Sequence, residues 1–284
     1  MSDDKSGVLV AVDGSEESGR SLSWAVAEAE RRGVALTIAH CYYWPSSGLG
    51  AMDAIGFLMD GLAKDSADVL ATAEAAARKQ APGLEVHIES HLGAPVATIV
   101  DMSTRFDLVV IGSRGLGGFK GMLLGSVSTG VVANALSSVV VVRQDEDLDP
   151  TAPVLVGVDD SPHGQAALRE AFAAADRRGC SLVALHAWAT PTLKGSPEQE
   201  EDWQSSVTTE LTNQVAAVAT QYPGVPVETV TFRDRPAAAL LARAQSAQLL
   251  VVGTRGRPEF KGMLLGSTSR AMVQHSPCPV MVVR

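Results

Sequence analysis

The chain is poor in cysteine and aromatic residues and has no excess of positive charge. Its 284 residues include 5% aromatic residues and three cysteines without C-x-x-C spacing: Cys41, Cys180 and Cys278. So sparse a set excludes a disulfide framework and is typical of reduced thiols in a cytoplasmic protein. The formal net charge of −9 argues against nucleic acid or an anionic membrane as a partner, so any anion site must be local.

Export signals and long apolar runs are also missing. The amino terminus passes from Met-Ser-Asp-Asp-Lys-Ser-Gly directly into a short Val/Leu run, without a basic segment or a stretch long enough to span a membrane. We therefore expect a cytoplasmic protein that does not enter the membrane.

What the chain does have is a glycine motif that occurs twice. The two copies, 141 positions apart, are Gly112-Ser-Arg-Gly115-x9-Gly125-Ser126 and Gly253-Thr-Arg-Gly256-x9-Gly266-Ser267. Residues 119–126 and 260–267 are identical. Segments that serve only packing tolerate the exchange of apolar side chains of similar volume. The identity of these two segments therefore indicates that backbone shape and a bound ligand restrict their sequence. The pattern predicts a phosphate-binding loop in two copies.

Apolar strands and amphipathic helices alternate in each half, which predicts an α/β fold of two tandem doubly wound domains with helices on both faces of a parallel sheet. The fourth strands, Leu108–Gly112 and Leu249–Gly253, lack alternation, as strands buried on both faces do. An acidic linker near 144–153 separates domains that we place at 1–146 and 147–284.

Smaller signals mark the ends of these elements. The first strands should end in Asp13 and Asp159, and the third strand of the first half should span 85–89. The first helix should bury one face of apolar side chains and end at a glycine, and the third helix should begin with a proline. The residues concerned are Leu22, Ala25, Val26 and Ala29, then Gly33 and Gly179, and Pro95 and Pro236.

The glycine loop follows the fourth strand, at the edge of a parallel sheet where ligands bind. Gly112 and Gly115 allow positive φ and close approach of a ligand to backbone N–H groups. Gly125 and Ser126 should begin a helix, whose free N–H groups favour an anion. Positive charge is available from Arg114 or Lys120, and in the second half from Arg255 or Lys261. No Walker Gly-Lys-Ser/Thr occurs, and no G-x-G-x-x-G follows the first strand.

Asp13 and Asp159 admit two interpretations. Either carboxylate can accept from ribose hydroxyls or help to hold a metal ion, and either can be a helix cap or turn aspartate. Duplication does not decide between them. For His40 and His186 we favour a hydrogen-bonded strand-end role over catalysis, and for Cys41 an apolar filler over a nucleophile.

The pattern G-x2-G-x9-G-[ST], with an Asp at the end of the first strand and a final Val-rich strand, resembles the universal stress protein family in its tandem two-domain form. The resemblance covers nearly the whole chain. It implies a five-stranded parallel sheet of order 3-2-1-4-5 in each half and binding of ATP, with Mg²⁺ as a candidate companion ion. The second half departs from the pattern at Asp160 and Arg257-Pro258. These departures would affect the affinity of the second site but not its existence.

Carried over to this chain, the resemblance assigns a role to each motif position. Asp13 and Asp159 would face ribose or phosphate, and the backbone of Cys41 and Ala187 would meet adenine. The phosphates would be held by Gly112, Gly115, Gly125 and Ser126, and in the second half by Gly253, Gly256, Gly266 and Ser267.

The resemblance implies an ATP-binding regulator of the stress response, with an unidentified protein partner and at most slow hydrolysis. The alternative is a slow ATPase or adenylyl-transferring enzyme, which would require a general base and a second pocket. Because the final strands, Val139–Val142 and Val280–Val283, should form sheet edges, we expect the halves to pair as a dimer-like unit and the chains to form a homodimer.

Overall fold

The computed structural model describes residues 6–43, 52–117, 123–143, 149–188, 197–233, 235–256 and 265–284. The chain divides into Met1–Arg143, which we call unit 1, and Gln144–Arg284, which we call unit 2. The predicted boundary between residues 146 and 147 lies outside the described residues and stays a prediction.

Strands and helices alternate in both units. Unit 1 contains β1 (Val8–Ala11), α1 (Glu16–Arg32), β2 (Leu36–Tyr42), α2 (Met52–Gln80), β3 (Val86–Leu92), α3 (Pro95–Met102), β4 (Leu108–Gly112), α4 (Ser126–Asn134) and β5 (Ser138–Val142). Unit 2 contains β6 (Val154–Gly157), α5 (Pro162–Arg178), β7 (Leu182–Trp188), α6 (Pro197–Ala219), β8 (Val227–Arg233), α7 (Pro236–Ala244), β9 (Leu249–Gly253), α8 (Ser267–His275) and β10 (Val280–Val283).

Within the described residues, each unit has a five-stranded parallel sheet. The order is β3-β2-β1-β4-β5 in unit 1 and β8-β7-β6-β9-β10 in unit 2, which confirms the order 3-2-1-4-5. Val8 of β1 pairs with Leu36 of β2 on one side and with Leu108 of β4 on the other. The carboxyl ends of β1 and β4 therefore open side by side, where strand order reverses.

The central strands form the core of each unit because their side chains are apolar on both faces. All residues of β4 are buried, and helix α1 covers the sheet with its predicted apolar face. That helix ends as predicted at Gly33, whose φ of 65° is left-handed, and α5 ends in the same way at Gly179. Among the helices in the described part of the chain, none combines the length and the apolar character needed to cross a bilayer.

Several predicted strand ends are wrong. Strand β1 ends at Ala11 instead of Asp13, because the Asp13 carboxylate is hydrogen-bonded within the following turn and Gly14 has a φ of 82° there. Strand β6 likewise ends at Gly157 instead of Asp159, whose carboxylate accepts from the Ser161 N–H in the following turn. Strand β3 continues to Leu92 instead of Glu89, because its whole length pairs with β2, up to Leu92 opposite Tyr42.

Candidate functional site

Asp13 joins the turn after β1 to the glycine loop after β4. Its Oδ1 accepts hydrogen bonds from the Ser15 backbone N–H at 3.0 Å and the Ser15 hydroxyl at 2.6 Å. Its Oδ2 accepts from the backbone N–H of Leu116 at 2.9 Å. Burial by itself raises the pKa of Asp13, but these hydrogen bonds together outweigh it, and the pKa lies below its ordinary value. The carboxylate is therefore ionised at neutral pH and fixes the start of the loop.

The helix-cap interpretation of Asp13 and Asp159 is wrong, and the turn interpretation is right. The caps of α1 and α5 are Ser15 and Ser161, whose hydroxyl oxygens accept from the backbone N–H three residues later at 3.2 and 3.0 Å. Each aspartate lies two residues before its capping serine and accepts the serine's hydroxyl hydrogen. The aspartate thus orients the cap.

The described glycines of the motif do not adopt the positive φ that glycine allows. The described glycines with positive φ lie elsewhere: Gly7, Gly14, Gly33 and Gly179. Glycine is needed at 115 and 256 for a steric reason. A Cβ at Gly115 would overlap Oδ2 of Asp13, and one at Gly256 would lie 2.5 Å from Oδ2 of Asp159. The carboxylate occupies the space that a side chain would take.

The first glycine of each motif serves helix packing. A Cβ at Gly112 would lie 3.2 Å from the Ser21 hydroxyl of α1, and one at Gly253 would lie 2.8 Å from the carbonyl oxygen of His163 in α5. These glycines let the first turns of α1 and α5 rest on the ends of β4 and β9.

The third glycine of each motif is different because the protein itself has room for a side chain there. Gly125 has φ −70° and ψ 159°, and Gly266 has φ −65° and ψ 157°, values that any residue adopts. A Cβ would lie 3.5 Å from the Arg114 Cα in unit 1, and 3.3 Å from the Thr254 carbonyl oxygen in unit 2. The first is an ordinary contact, whereas the second is tighter than most Cβ contacts and would need the Thr254 carbonyl to move by a few tenths of an ångström. The described fold therefore has room for a side chain at Gly125 and slightly less room at Gly266.

These glycines also precede helix starts that lack a side-chain cap. Helices α4 and α8 begin at Ser126 and Ser267, both exposed, and among the described residues neither helix has a side-chain hydrogen bond from its capping residue. The free N–H groups and the dipole of such a helix start favour an anion.

Both loops are closed by the same two hydrogen bonds. The N–H of Gly125 donates to the Ser113 carbonyl at 2.8 Å, and the Ser128 hydroxyl donates to the Gly112 carbonyl at 2.7 Å. The equivalent bonds in unit 2 measure 2.8 and 2.5 Å. The two ends of the motif, nine residues apart, are thereby brought together at the mouth of the crevice.

Four arginines surround the two loops, and only two of them were predicted. Arg114 lies 3.3 Å from the Glu17 carboxylate. Arg143, which the sequence reasoning missed, donates to the carbonyl of Leu123 inside the loop at 3.1 Å. A usable signal existed, because Arg143 and Arg284 follow the final Val-rich strand of each repeat at the motif's own spacing of 141. Lys120 and Lys261 lie outside the described residues.

This fold and repeated loop have counterparts among known proteins. The model of the universal stress protein family matches residues 7–143 and 151–284. The chain belongs to the universal stress protein family. A universal stress protein of Mycobacterium tuberculosis is 37% identical over 294 residues, covering 98% of this chain and 97% of that protein. One of Mycolicibacterium smegmatis is 36% identical over 289 residues, with coverage of 98% and 97%.

A solved structure supports the same conclusion for the fold of the whole chain. The crystal structure of a universal stress protein from Archaeoglobus fulgidus DSM 4304 is similar with a TM-score of 0.70 and 25% identity, and each chain covers 99% of the other. The tandem arrangement expected from the sequence is therefore that of a family member.

Cys41 and Ala187 lie where the second strand extends beyond the first. The register pairs Ala11 with Ala39, and β2 continues to Tyr42, so the backbone of Cys41 lies past the end of β1. Burial raises the pKa of the Cys41 thiol to about 11, despite a hydrogen bond with Thr98. The thiol is therefore protonated at neutral pH, as expected of a filler. Within the described residues, no hydrogen bond connects Cys41 to the glycine loop.

The two histidines are hydrogen-bonded as predicted, but they do not end their strands, which continue to Tyr42 and Trp188. Nδ1 of His40 lies 2.8 Å from the hydroxyl of the buried Ser66, which in turn contacts the Ser90 hydroxyl at 2.7 Å. Burial lowers the pKa of His40, although the nearby Asp13 carboxylate opposes this. Nδ1 of His186 lies 2.8 Å from the carbonyl oxygen of Val158.

Proposed function

We propose that each unit binds a nucleoside polyphosphate, ATP, and that the protein is a nucleotide-dependent regulator in the stress response. One observation carries the proposal. Gly125 is a glycine that the described fold does not require, Gly266 has nearly enough room for a side chain, and both stand directly before helix starts without a side-chain cap. A phosphate that approaches these N–H groups would need the space that a Cβ would occupy.

The other motif residues fit parts of the same ligand. Oδ2 of Asp13 keeps acceptor capacity for a ribose hydroxyl, because a carboxylate oxygen has two lone pairs and Oδ2 accepts one hydrogen bond, whereas Oδ1 accepts two. Oδ1 of Asp159 likewise accepts two, from the N–H and the hydroxyl of Ser161, so Oδ2 is again the oxygen that would meet ribose. The backbone beyond the end of β1 or β6, at Cys41 or Ala187, is where a base would lie. Mg²⁺ would be held by the phosphates and one of these carboxylates, the usual pattern for this ion with nucleotides.

Calorimetric titration tests the proposal, with two ATP per chain as the expected result. The sharper test uses Gly125→Ala and Gly266→Ala. The methyl group fits at Gly125 and is slightly tight at Gly266, so thermal unfolding should be unchanged in the first variant and only slightly easier in the second, whereas ATP affinity of the altered unit should fall at least about fivefold, or about 1 kcal/mol. Gly117→Ala is the matched control, because a Cβ there would meet no atom within 4 Å.

Each alternative outcome has a definite meaning. Wild-type protein that binds less than one ATP per chain contradicts two functional sites. Full affinity in both alanine variants contradicts phosphate binding at these helix starts. Turnover of ATP near the enzyme median of about 10 per second, instead of below about 0.1 per second, would favour an enzyme over a regulator. A homodimer and a regulatory protein partner remain predictions of this proposal.

A further inference from the structure

The first turn of α5 lies against the start of the glycine loop in unit 2. The Ser161 hydroxyl oxygen is 3.3 Å from the Arg255 carbonyl oxygen, and Nδ1 of the half-buried His163 is 3.4 Å from the Thr254 hydroxyl. A Cβ at Gly253 would lie 2.8 Å from the carbonyl oxygen of His163. The backbone and the imidazole of His163 are therefore both next to the loop.

The hydrogen bonds of Thr254 indicate which nitrogen of the imidazole carries the hydrogen. The Thr254 hydroxyl lies 3.2 Å from the Val283 carbonyl oxygen, which can only accept. Both contacts of the hydroxyl are satisfied when it donates to Val283 and accepts from Nδ1–H of His163. Nε2 is then the nitrogen that takes up a further proton and becomes a second donor.

Thr254 also connects this imidazole with the start of α8. Its carbonyl oxygen accepts from the N–H of Gly266 at 2.8 Å, directly before Ser267 begins the helix. His163 and the helix start, which we propose as a phosphate site, thus contact the same residue. A proton on His163 would add positive charge beside that site. In return, a bound phosphate would favour the protonated imidazole, because a nearby opposite charge stabilises the charged form of a side chain.

Charged groups of both signs lie at this end of unit 2. Among the described residues they are Arg255, Arg284, Asp159, Asp160 and Glu210. The arginines and the dipole of α5 oppose a proton on His163, whereas the carboxylates favour one. A polyphosphate at the start of α8 adds several negative charges to this set. Binding therefore shifts the balance towards the protonated imidazole.

Unit 1 has a carboxylate at the position of this imidazole. Glu17 precedes His163 by the 146 positions that separate Asp13 from Asp159, and it lies 3.3 Å from Arg114. The hydroxyl residue of the loop is retained, since Ser113 is buried in unit 1 as Thr254 is in unit 2. A carboxylate cannot supply positive charge to a phosphate at any pH. The two units thus differ at one position in a group that can gain a proton on binding.

We propose that His163 is an anion-binding residue of unit 2, and that its imidazole takes up a proton from solvent at Nε2 when ATP binds. The inference rests on the proposed function and adds a residue outside the glycine motif. Imidazole is the side chain whose charge changes between about pH 5 and 8. Because the bound state holds the proton more tightly, the ATP affinity of unit 2 rises relative to that of unit 1 as the pH falls through this range.

Calorimetric titration of the full chain with ATP, in buffers of different ionisation enthalpy, measures the protons taken up on binding. At about pH 6.5, wild-type protein should take up at least about 0.3 proton per chain more than His163→Gln. Glutamine keeps a donor for Thr254 and is uncharged at every pH. Protons that ATP itself exchanges occur in both titrations and cancel in the difference.

The same variant gives a pH profile of affinity. His163→Gln should lower the ATP affinity of unit 2 about two- to fivefold at about pH 6, the range of a partly exposed ion pair, and less than about twofold at about pH 8.5. His87→Gln is the matched control, because His87 pairs with Glu85 on β3, and strands β2 and β1 separate β3 from β4. This control should take up as many protons as wild type.

A reciprocal variant keeps the test decisive if His163→Gln unfolds. Glu17→His gives unit 1 the residue of unit 2, and Ser113 supplies the neighbouring hydroxyl. ATP binding to this variant should take up at least about 0.3 proton per chain more than binding to wild type. Uptake equal to that of wild type would contradict a role for this position.

The outcomes separate this inference from the proposed function. If wild-type protein binds no ATP, the proposed function fails and the inference fails with it. If ATP binds but proton uptake is the same with and without His163, only the inference is overturned. A loss of ATP affinity in His163→Gln that is equal at pH values of about 6 and 8.5 would also overturn it, because the imidazole would then only support the loop.

Discussion

The glycine loops of the two units have the same backbone bonds but different charged neighbours. In unit 1 the Glu17 carboxylate lies 3.3 Å from Arg114 and partly neutralises it. In unit 2 the equivalent position is His163, whose Nδ1 lies 3.4 Å from the Thr254 hydroxyl. The carboxylate that pairs with the first arginine thus has no counterpart at this position. Anion attraction should therefore be stronger in unit 2.

The difference at Asp160 acts in the opposite direction but farther from the loop. Asp160 replaces Gly14 and is exposed, and its Oδ1 accepts from the Gln214 amide at 3.1 Å. It contacts helix α6, whereas Glu17 contacts the arginine of the loop itself. Since exposed charges are screened by solvent, the closer carboxylate should dominate. The comparison indicates that two copies of one motif can differ in anion affinity because the charged residues around them differ.

The aspartates are also held differently. Asp13 receives hydrogen bonds from Ser15 and Leu116, and the Ser18 hydroxyl contributes as well. In unit 2 the residue equivalent to Ser18 is Gly164, where a Cβ would overlap Oδ1 of Asp159. Asp159 thus lies between two glycines, Gly164 and Gly256.

The largest expected effect is that of Gly115→Ala. The new methyl group must displace Oδ2 of Asp13, which also holds the Leu116 N–H, an overpacking that costs about 1–3 kcal/mol of folding stability. Because the start of the loop is displaced as well, ATP affinity of unit 1 should fall at least about fivefold. Gly256→Ala should lower the ATP affinity of unit 2 by a smaller factor, because a Cβ at residue 256 has slightly more room than one at residue 115. Calorimetric titration measures both affinities. A larger loss in unit 2 would contradict the steric comparison.

Changing the residues at positions 17 and 163 should make the ATP affinities of the two units more similar. Glu17→Gln should raise ATP affinity of unit 1 about two- to fivefold, and His163→Glu should lower that of unit 2 by a similar factor, the range of a partly exposed ion pair. A carboxylate in the first turn of α5 suits the helix dipole, so unfolding should not become easier. The effects should shrink at about 1 M salt. Changes that persist there would exclude an electrostatic cause.

Acid should lower the folding stability of unit 1 because it protonates Asp13. Because the folded-state pKa of Asp13 is depressed, its stabilisation is complete above the unfolded pKa of about 3.9 and is lost as pH falls through the folded pKa. Urea unfolding at a series of pH values below about 5 should show a decline that is shallower in Asp13→Asn. An identical decline in the variant would mean that other groups cause the acid sensitivity.

The smallest effect is expected for Cys41→Ala, which gives unit 1 the residue that unit 2 has at this place. Only the backbone of Cys41 should face the base, so ATP affinity should change less than about twofold. Because the thiol pKa is raised to about 11, iodoacetamide should modify Cys41 slowly at neutral pH, as mass spectrometry can follow. Rapid labelling or a large loss of affinity would assign the side chain a role.

Much of the fold could be predicted from the sequence because strands, helices and their ends depend on local residue patterns. Apolar runs such as Leu108–Gly112 marked the buried strands, and the spacing of Leu22, Ala25, Val26 and Ala29 marked the buried face of α1. The glycine motif recurs after 141 positions and Asp13 recurs as Asp159 after 146, which identified the loops and both aspartates. Glycine after a helix and proline at its start marked the helix ends, since each relieves a local backbone constraint.

Only the tertiary structure decided what the motif residues do. Asp13 and Leu116 are 103 positions apart, and no local pattern shows that one binds the other. For the same reason the sequence shows that residue 115 is glycine but does not show why. The structure gives the reason, which is space for a carboxylate and not a positive φ. The pairing of β4 with β5 sets Arg143 beside Arg114. Sequence periodicity determines which segments form strands and helices, whereas contacts between distant segments depend on sheet register and side-chain packing.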